Sequence, residues 1–202
     1  MKETNYKLKV VFLRPVLGAQ GTKDVTSEYL AKKHGFDLVE AEIESLPDSL
    51  DRGTTVFHRM TPRPGAEPAP ALRLHQIKGH LKAAAQFQNG KVTGDIKALK
   101  SKVNNAVFIS PDFIELHIPQ DGQLEYYERP LRADTAQGPR VALARSEMLP
   151  AGTWFECGIT VLNDVISETV LRELLDYGYY MGLGQFRNGG FGQFRYELER
   201  EE

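Results

Sequence analysis

The chain of 202 residues is 41% hydrophobic and 26% charged with a formal net charge of −2, ordinary proportions for one globular unit with a sizeable core. A single cysteine, Cys157, excludes an internal disulfide and suits a reducing compartment. No apolar run approaches the length of a membrane span, and Met1-Lys2-Glu3-Thr4-Asn5 lacks the layout of a signal peptide, so the expectation is a soluble, cytoplasmic protein with no membrane partner.

In chain order, Tyr6 to Leu13 reads as a strand, with Leu8, Val10 and Phe12 alternating with Lys7 and Lys9. Residues 18–71 read as a large insertion after that strand. Within it, Asp24 to Lys33 suits a short helix and Asp37 to Ile43 and Thr54 to His58 suit short strands. Residues 61–70, with Pro62, Pro64, Pro68 and Pro70, read as a linker outside regular structure. Leu72 to Phe87 predicts a helix with Leu74, Ile77, Leu81, Ala84 and Ala85 on one face, stopped by Asn89-Gly90. Ala106 to Ser110 and Phe113 to Ile118 predict strands, as does Trp154 to Leu162, where Phe155, Cys157, Ile159 and Val161 alternate with Trp154, Glu156, Gly158 and Thr160. Ser167 suits an N-cap for a helix carrying Val170, Leu171, Leu174 and Leu175 inward. Phe191 to Leu198 predicts the final strand. The sequence of elements is close to β-α-β-β-α-β, which predicts an α+β fold: one domain over 1–202, with an antiparallel sheet and two helices.

Charge is unevenly spread. Arg73, Lys78, Lys82, Lys91, Lys97, Lys100 and Lys102 face only Asp95 between Ala71 and Ala106, whereas Asp24 to Asp51 is strongly acidic. Arg129, Arg132, Arg140 and Arg145 form a second basic group. Such polarity suits a groove for a polyanion, and also suits a solvated surface.

Ahead of the last strand lies Gly182-Leu183-Gly184-Gln185-Phe186-Arg187-Asn188-Gly189-Gly190-Phe191-Gly192-Gln193-Phe194. Glycines this dense permit positive φ and close approach of a bound chain. Phe186, Phe191 and Phe194 would stack bases, with Arg187 and the amides of Gly184, Gly189 and Gly190 on phosphates. The competing reading is a tight turn whose aromatic rings pack inward.

These residues resemble the glycine-rich C-terminal motif of the RAMP superfamily, CRISPR-associated proteins on a modified RRM or ferredoxin-like fold, and in particular the backbone subunits that line up along guide RNA. Ile77-Lys78-Gly79-His80-Leu81-Lys82 is similar to their helix after the first strand, with one residue fewer between the glycine and Leu81-Lys82. Pro139-Arg140-Val141-Ala142-Leu143-Ala144-Arg145 resembles their basic-then-hydrophobic segment, and Leu149-Pro150-Ala151-Gly152-Thr153-Trp154 their turn into the third strand. The resemblance covers mainly residues 72–198 and also extends to uncharacterised phage and prophage proteins, which fits a standalone relative.

The resemblance implies binding of single-stranded nucleic acid, RNA ahead of DNA, by copies assembled side by side: a homo-oligomer or a subunit of a ribonucleoprotein. The binding residues implied are Arg73, Lys78, Gly79, Lys82, Arg132, Arg140, Arg145, Gly184, Gln185, Arg187, Gly189 and Gly190. Alternatives are a metal-dependent endoribonuclease of the same fold, a phage single-stranded DNA-binding or annealing protein, and a mimic that inhibits a CRISPR complex. Asp24 lies where some RAMP backbone subunits carry a catalytic acid, but nothing near it in sequence supplies a partner, and the reading leans away from an enzyme. His75 and His80, the candidates for histidine acid–base chemistry, are five apart and do not share a helix face, so neither metal nor cofactor is expected. Cys157 reads as a small buried hydrophobe.

Overall fold

The computed structural model describes residues 1–22, 54–135 and 138–201, and the backbone alone for 131–135 and 138–142. The first strands are β1 Glu3–Phe12, β2 Val16–Leu17, β3 Gln20–Gly21, β4 Thr54–Val56, β5 His58–Met60 and β6 Ala69–Arg73. Helices α1 Leu74–Gln88 and α2 Leu99–Ala106 follow, then β7 Val107–Ser110, β8 Phe113–Glu115, β9 Glu125–Thr135, β10 Gly138–Leu149 and β11 Trp154–Leu162. Helices α3 Glu168–Asp176 and α4 Gly178–Met181, a 3-10 turn at Arg187–Gly189 and β12 Phe194–Arg200 complete the described chain.

β1 buries Thr4, Tyr6, Leu8, Val10 and Phe12 and turns Glu3, Asn5 and Lys7 outward, the period of two that a strand with one covered face requires. β11 repeats the pattern through Phe155, Cys157, Ile159 and Val161. The two run antiparallel with Leu8 opposite Cys157 and Val10 opposite Phe155. β12 flanks β1 on the other side, and β7 flanks β11, giving the order β12-β1-β11-β7, antiparallel throughout. With α1 between β1 and β7 and α3 between β11 and β12, this is the ferredoxin-like plan, and the fold is α+β. On the buried face, Ile77, Leu81, Ala84 and Ala85 of α1 meet Val170, Leu171, Leu174 and Leu175 of α3 in one core with Phe12, Phe155 and Phe194. Each fully buried aliphatic or aromatic side chain contributes about 1.5–3 kcal/mol there.

Local signals fix the helix ends. The Val170 amide donates to Ser167 Oγ at 3.3 Å, the N-cap expected of α3, and Asn89 ends α1 in the left-handed region at φ 46°. α1 starts two residues later than its periodicity predicts because Leu72 pairs with Ile114 as part of β6. β6 also takes in Ala69 and Pro70, the end of the proline-rich stretch. Pro70 pairs with Arg59, and its carbonyl accepts from the Leu116 amide at 2.8 Å, so one missing N–H near the strand's start is tolerated.

A second sheet, β2-β10-β4-β3 with β9 on β10, carries the long β9–β10 hairpin, whose strands the sequence did not announce. β5-β6-β8 form a third. The expected helix and strand between Asp24 and Ile43 lie outside the described residues. No helix among the described residues is long and apolar enough to cross a membrane.

Candidate functional site

The glycine-rich stretch is a turn pinned against the segment that follows β1. Gln185 N–H donates to the Leu17 carbonyl at 3.2 Å, and Gly192 N–H to that of Pro15 at 2.8 Å. At Gly184, φ is +81° and a Cβ would lie 2.5 Å from the Leu17 oxygen, so only glycine permits this approach. Across from the turn stands α1, and between them opens a cleft of about 330 Å³. Gln76, Gly79, His80 and Ala83 line it from α1, Leu183, Gly184 and Arg187 from the turn, and Ala19 and Gln20 from the β2–β3 region. Gly79 is exposed, and a Cβ there would meet nothing within 4 Å, so the helix presents bare backbone to the opening.

His80 forms the inner wall at 3% exposure, its ring 5.2 Å from Phe194 and 6.0 Å from Tyr177. Burial pushes its pKa down to about 4, the Leu174 carbonyl opposes that shift, and Arg187 adds to it. At neutral pH the imidazole is uncharged, and Arg187 is the cationic side chain lining the cleft. His75 on the same helix is exposed, so the two histidines do not share a face. Cys157 is buried and its thiol pushed up to about 12 by that burial, which keeps it in the inert thiol form.

The remaining candidates are spread over several places. Lys78 Nζ donates to the Val107 carbonyl of β7 and lies 5.2 Å from the Phe108 ring. Burial, then Lys82, lowers its pKa. It therefore braces α1 against the sheet, where the sequence suggested a phosphate ligand. Lys82 is half-buried one turn further on. Arg73 sits at the N-cap of α1, its amide donating to Gln76 Oε1 at 2.8 Å and its guanidinium 4.5 Å from the Phe113 ring. Arg145 pairs across the hairpin with Glu128 at 3.4 Å and lies 4.0 Å over Tyr126. Arg132 and Arg140 occupy β9 and β10, opposite Val141 and Ala133. Lys91, Lys97 and Lys100 surround a separate cavity of about 410 Å³ at the far end of α1. Asp24 lies outside the described residues.

Three expectations for the turn are corrected. Phe194 is 2% exposed and packs edge-on against Phe12 in the core, unavailable to a base. Phe186 and Phe191 lie 5.7 Å apart, under Tyr127 of the hairpin at 6.4 and 4.8 Å, with the Arg129 guanidinium 3.7 Å from the Phe186 ring. The amides of Gly189 and Gly190 donate within the turn, to Phe186 and Arg187 carbonyls at 2.9 and 2.8 Å. Two of the aromatic rings thus clamp the turn to the hairpin, while Gly79, Gly184 and Arg187 converge on the cleft. Sequence reading missed Ala19, Gln20 and Tyr127, which lie in segments without periodic signal.

No family profile matches the chain, and no curated protein matches it in sequence. Its fold has solved counterparts. A chain of a cryo-EM structure of the type III-B Cmr-β complex bound to cognate target RNA superposes with a TM-score of 0.52 at 12% identity, covering 98% of this chain and 61% of that one. This chain thus spans less than two thirds of that counterpart's length. A chain of a type IV-B CRISPR complex superposes with a TM-score of 0.51 at 12% identity, covering 96% of this chain and 90% of the other. The chain therefore shares its fold with subunits of CRISPR complexes.

Proposed function

We propose that the protein binds single-stranded nucleic acid, RNA in preference to DNA, with the phosphate backbone entering the cleft between α1 and the glycine turn. The observation that carries this reading is the convergence of Gly79, Gly184 and Arg187 on one opening. Small residues on both walls let a sugar–phosphate chain approach the backbone, and the guanidinium supplies a phosphate donor. Lys82, Arg73, Arg132, Arg140 and Arg145 are further candidates for contact with the strand. Copies line up side by side along the strand, as subunits of a ribonucleoprotein assembly. The likeness in fold to chains of CRISPR complexes, one of them bound to target RNA, supports this reading.

The test is a binding titration of single-stranded RNA, single-stranded DNA and duplex at several salt concentrations. Tightest binding to single-stranded RNA, weakening steeply with salt, is the expected result. Equal affinity for duplex, or none for any strand at low salt, would sink the reading.

A further inference from the structure

Phe194 is buried, and Phe186 and Phe191 are half-buried against Tyr127 of the hairpin, whereas two rings next to the turn are exposed. α4 runs directly into the glycine turn and carries Tyr179 and Tyr180, which are 57% and 73% exposed. Their rings meet edge to face with centroids 5.2 Å apart. Together with Tyr196 and the exposed Arg195 they line a cavity of about 590 Å³. Polar groups of its lining are committed to partners. The Tyr196 hydroxyl lies 2.8 Å from Asp176 Oδ1, and Arg172 is tied to Glu168 and to the Leu198 carbonyl, each at 2.7 Å.

Two buried rings in contact, Phe194 on the cavity side and His80 on the cleft side, separate this cavity from the cleft. The Gln193 side chain, donating to the Tyr180 carbonyl at 3.3 Å, ties the base of α4 to the end of the turn. An exposed tyrosine ring gives the fold little burial energy but offers a rigid flat face to a planar ligand.

We infer that this pocket is a nucleobase subsite: a base of the strand whose phosphates occupy the cleft stacks on Tyr180, with Tyr179 as its edge and Arg195 on the adjoining phosphate. The inference rests on the single-strand reading and adds the residues that hold the base. Stacking tolerates any base, because every base presents a π-face, so the subsite adds affinity without a sequence preference.

The probes are oligouridine and an abasic strand of the same length, with Tyr180→Ala, Tyr180→Phe and Arg187→Ala. Tyr180→Ala is expected to weaken oligouridine binding by about tenfold and to leave the abasic strand within about twofold of the unaltered protein. Tyr180→Phe keeps the affinity, since the ring and not the hydroxyl carries the contact. Arg187→Ala weakens both strands alike. If Arg187→Ala weakens both strands while Tyr180→Ala changes neither or both equally, the base subsite is wrong and the cleft stands. Absence of binding by the unaltered protein to either strand overturns the single-strand reading and the subsite with it.

Discussion

His80 sits on the core side of α1, next to Leu81 and one turn from Ala84, a position its spacing from Ile77 dictates once the helix lies on the sheet. Burial there holds its pKa near 4, and His58, 1% exposed beneath Arg73 and Arg59, is likewise pushed down to about 4, chiefly by burial. An unfolded chain protonates histidine near pH 6.5. Between about pH 6.5 and pH 4 the unfolded state therefore takes up protons that the folded state refuses, and stability falls as pH drops through that window. The urea midpoint is expected to be flat from pH 8 to 7 and to decline from about 6.5 downward. His80→Leu should flatten part of that decline. A decline equally steep in His80→Leu would show that other groups carry the acid response.

Among the elements, the β9–β10 hairpin is where structure adds most to sequence. β11 and α3 could be read almost to the residue, since the alternation from Phe155 to Val161 and the cap at Ser167 are local signals that tertiary packing only reinforces. β9, with sequence Glu-Tyr-Tyr-Glu-Arg-Pro from Glu125 to Pro130, has no clean apolar alternation. Its Tyr127 ring covers the glycine turn, and its partner strand anchors through Leu149 in the core as well as through a buried polar group. That anchor is Glu147 of β10, 2% exposed, which accepts from the Phe57 amide at 2.8 Å and pairs with the Arg59 guanidinium. Removing one partner of a buried ion pair leaves the other charge and its donors stranded. Glu147→Ala is therefore expected to cost about 3 kcal/mol, with Glu147→Gln costing less because its amide oxygen still accepts from Phe57. Denaturant melts of the two variants check this, and a Glu147→Ala protein as stable as wild type would mean that the Glu147 pair does not hold the hairpin.

Across the whole molecule, a net charge of −2 hides a local basic surface, and the fold decides which of its charges share a purpose. The order β12-β1-β11-β7 brings α1, early in the chain, beside the turn that precedes β12. The pairing of Gly79 with Gly184 and Arg187 was legible only through resemblance, because no periodicity links residues so far apart. The basic run from Arg73 to Lys102 could not be partitioned from sequence. Lys78 is turned to the sheet by the Val107 carbonyl, while Lys91, Lys97 and Lys100 gather at another cavity. These placements give different salt responses. Removing one cation that neutralises a phosphate of a single strand lowers the slope of log affinity against log salt by about 0.7. Arg187→Ala and Lys82→Ala are each expected to lower it by about that amount with melting temperatures near wild type, and together by about 1.4. Lys78→Ala should leave the slope unchanged and lower the melting temperature, because it removes a strut between α1 and β7. If the slope instead falls with Lys97→Ala or Lys100→Ala and ignores Arg187→Ala, the strand runs over the far end of α1 and the cleft is not its path.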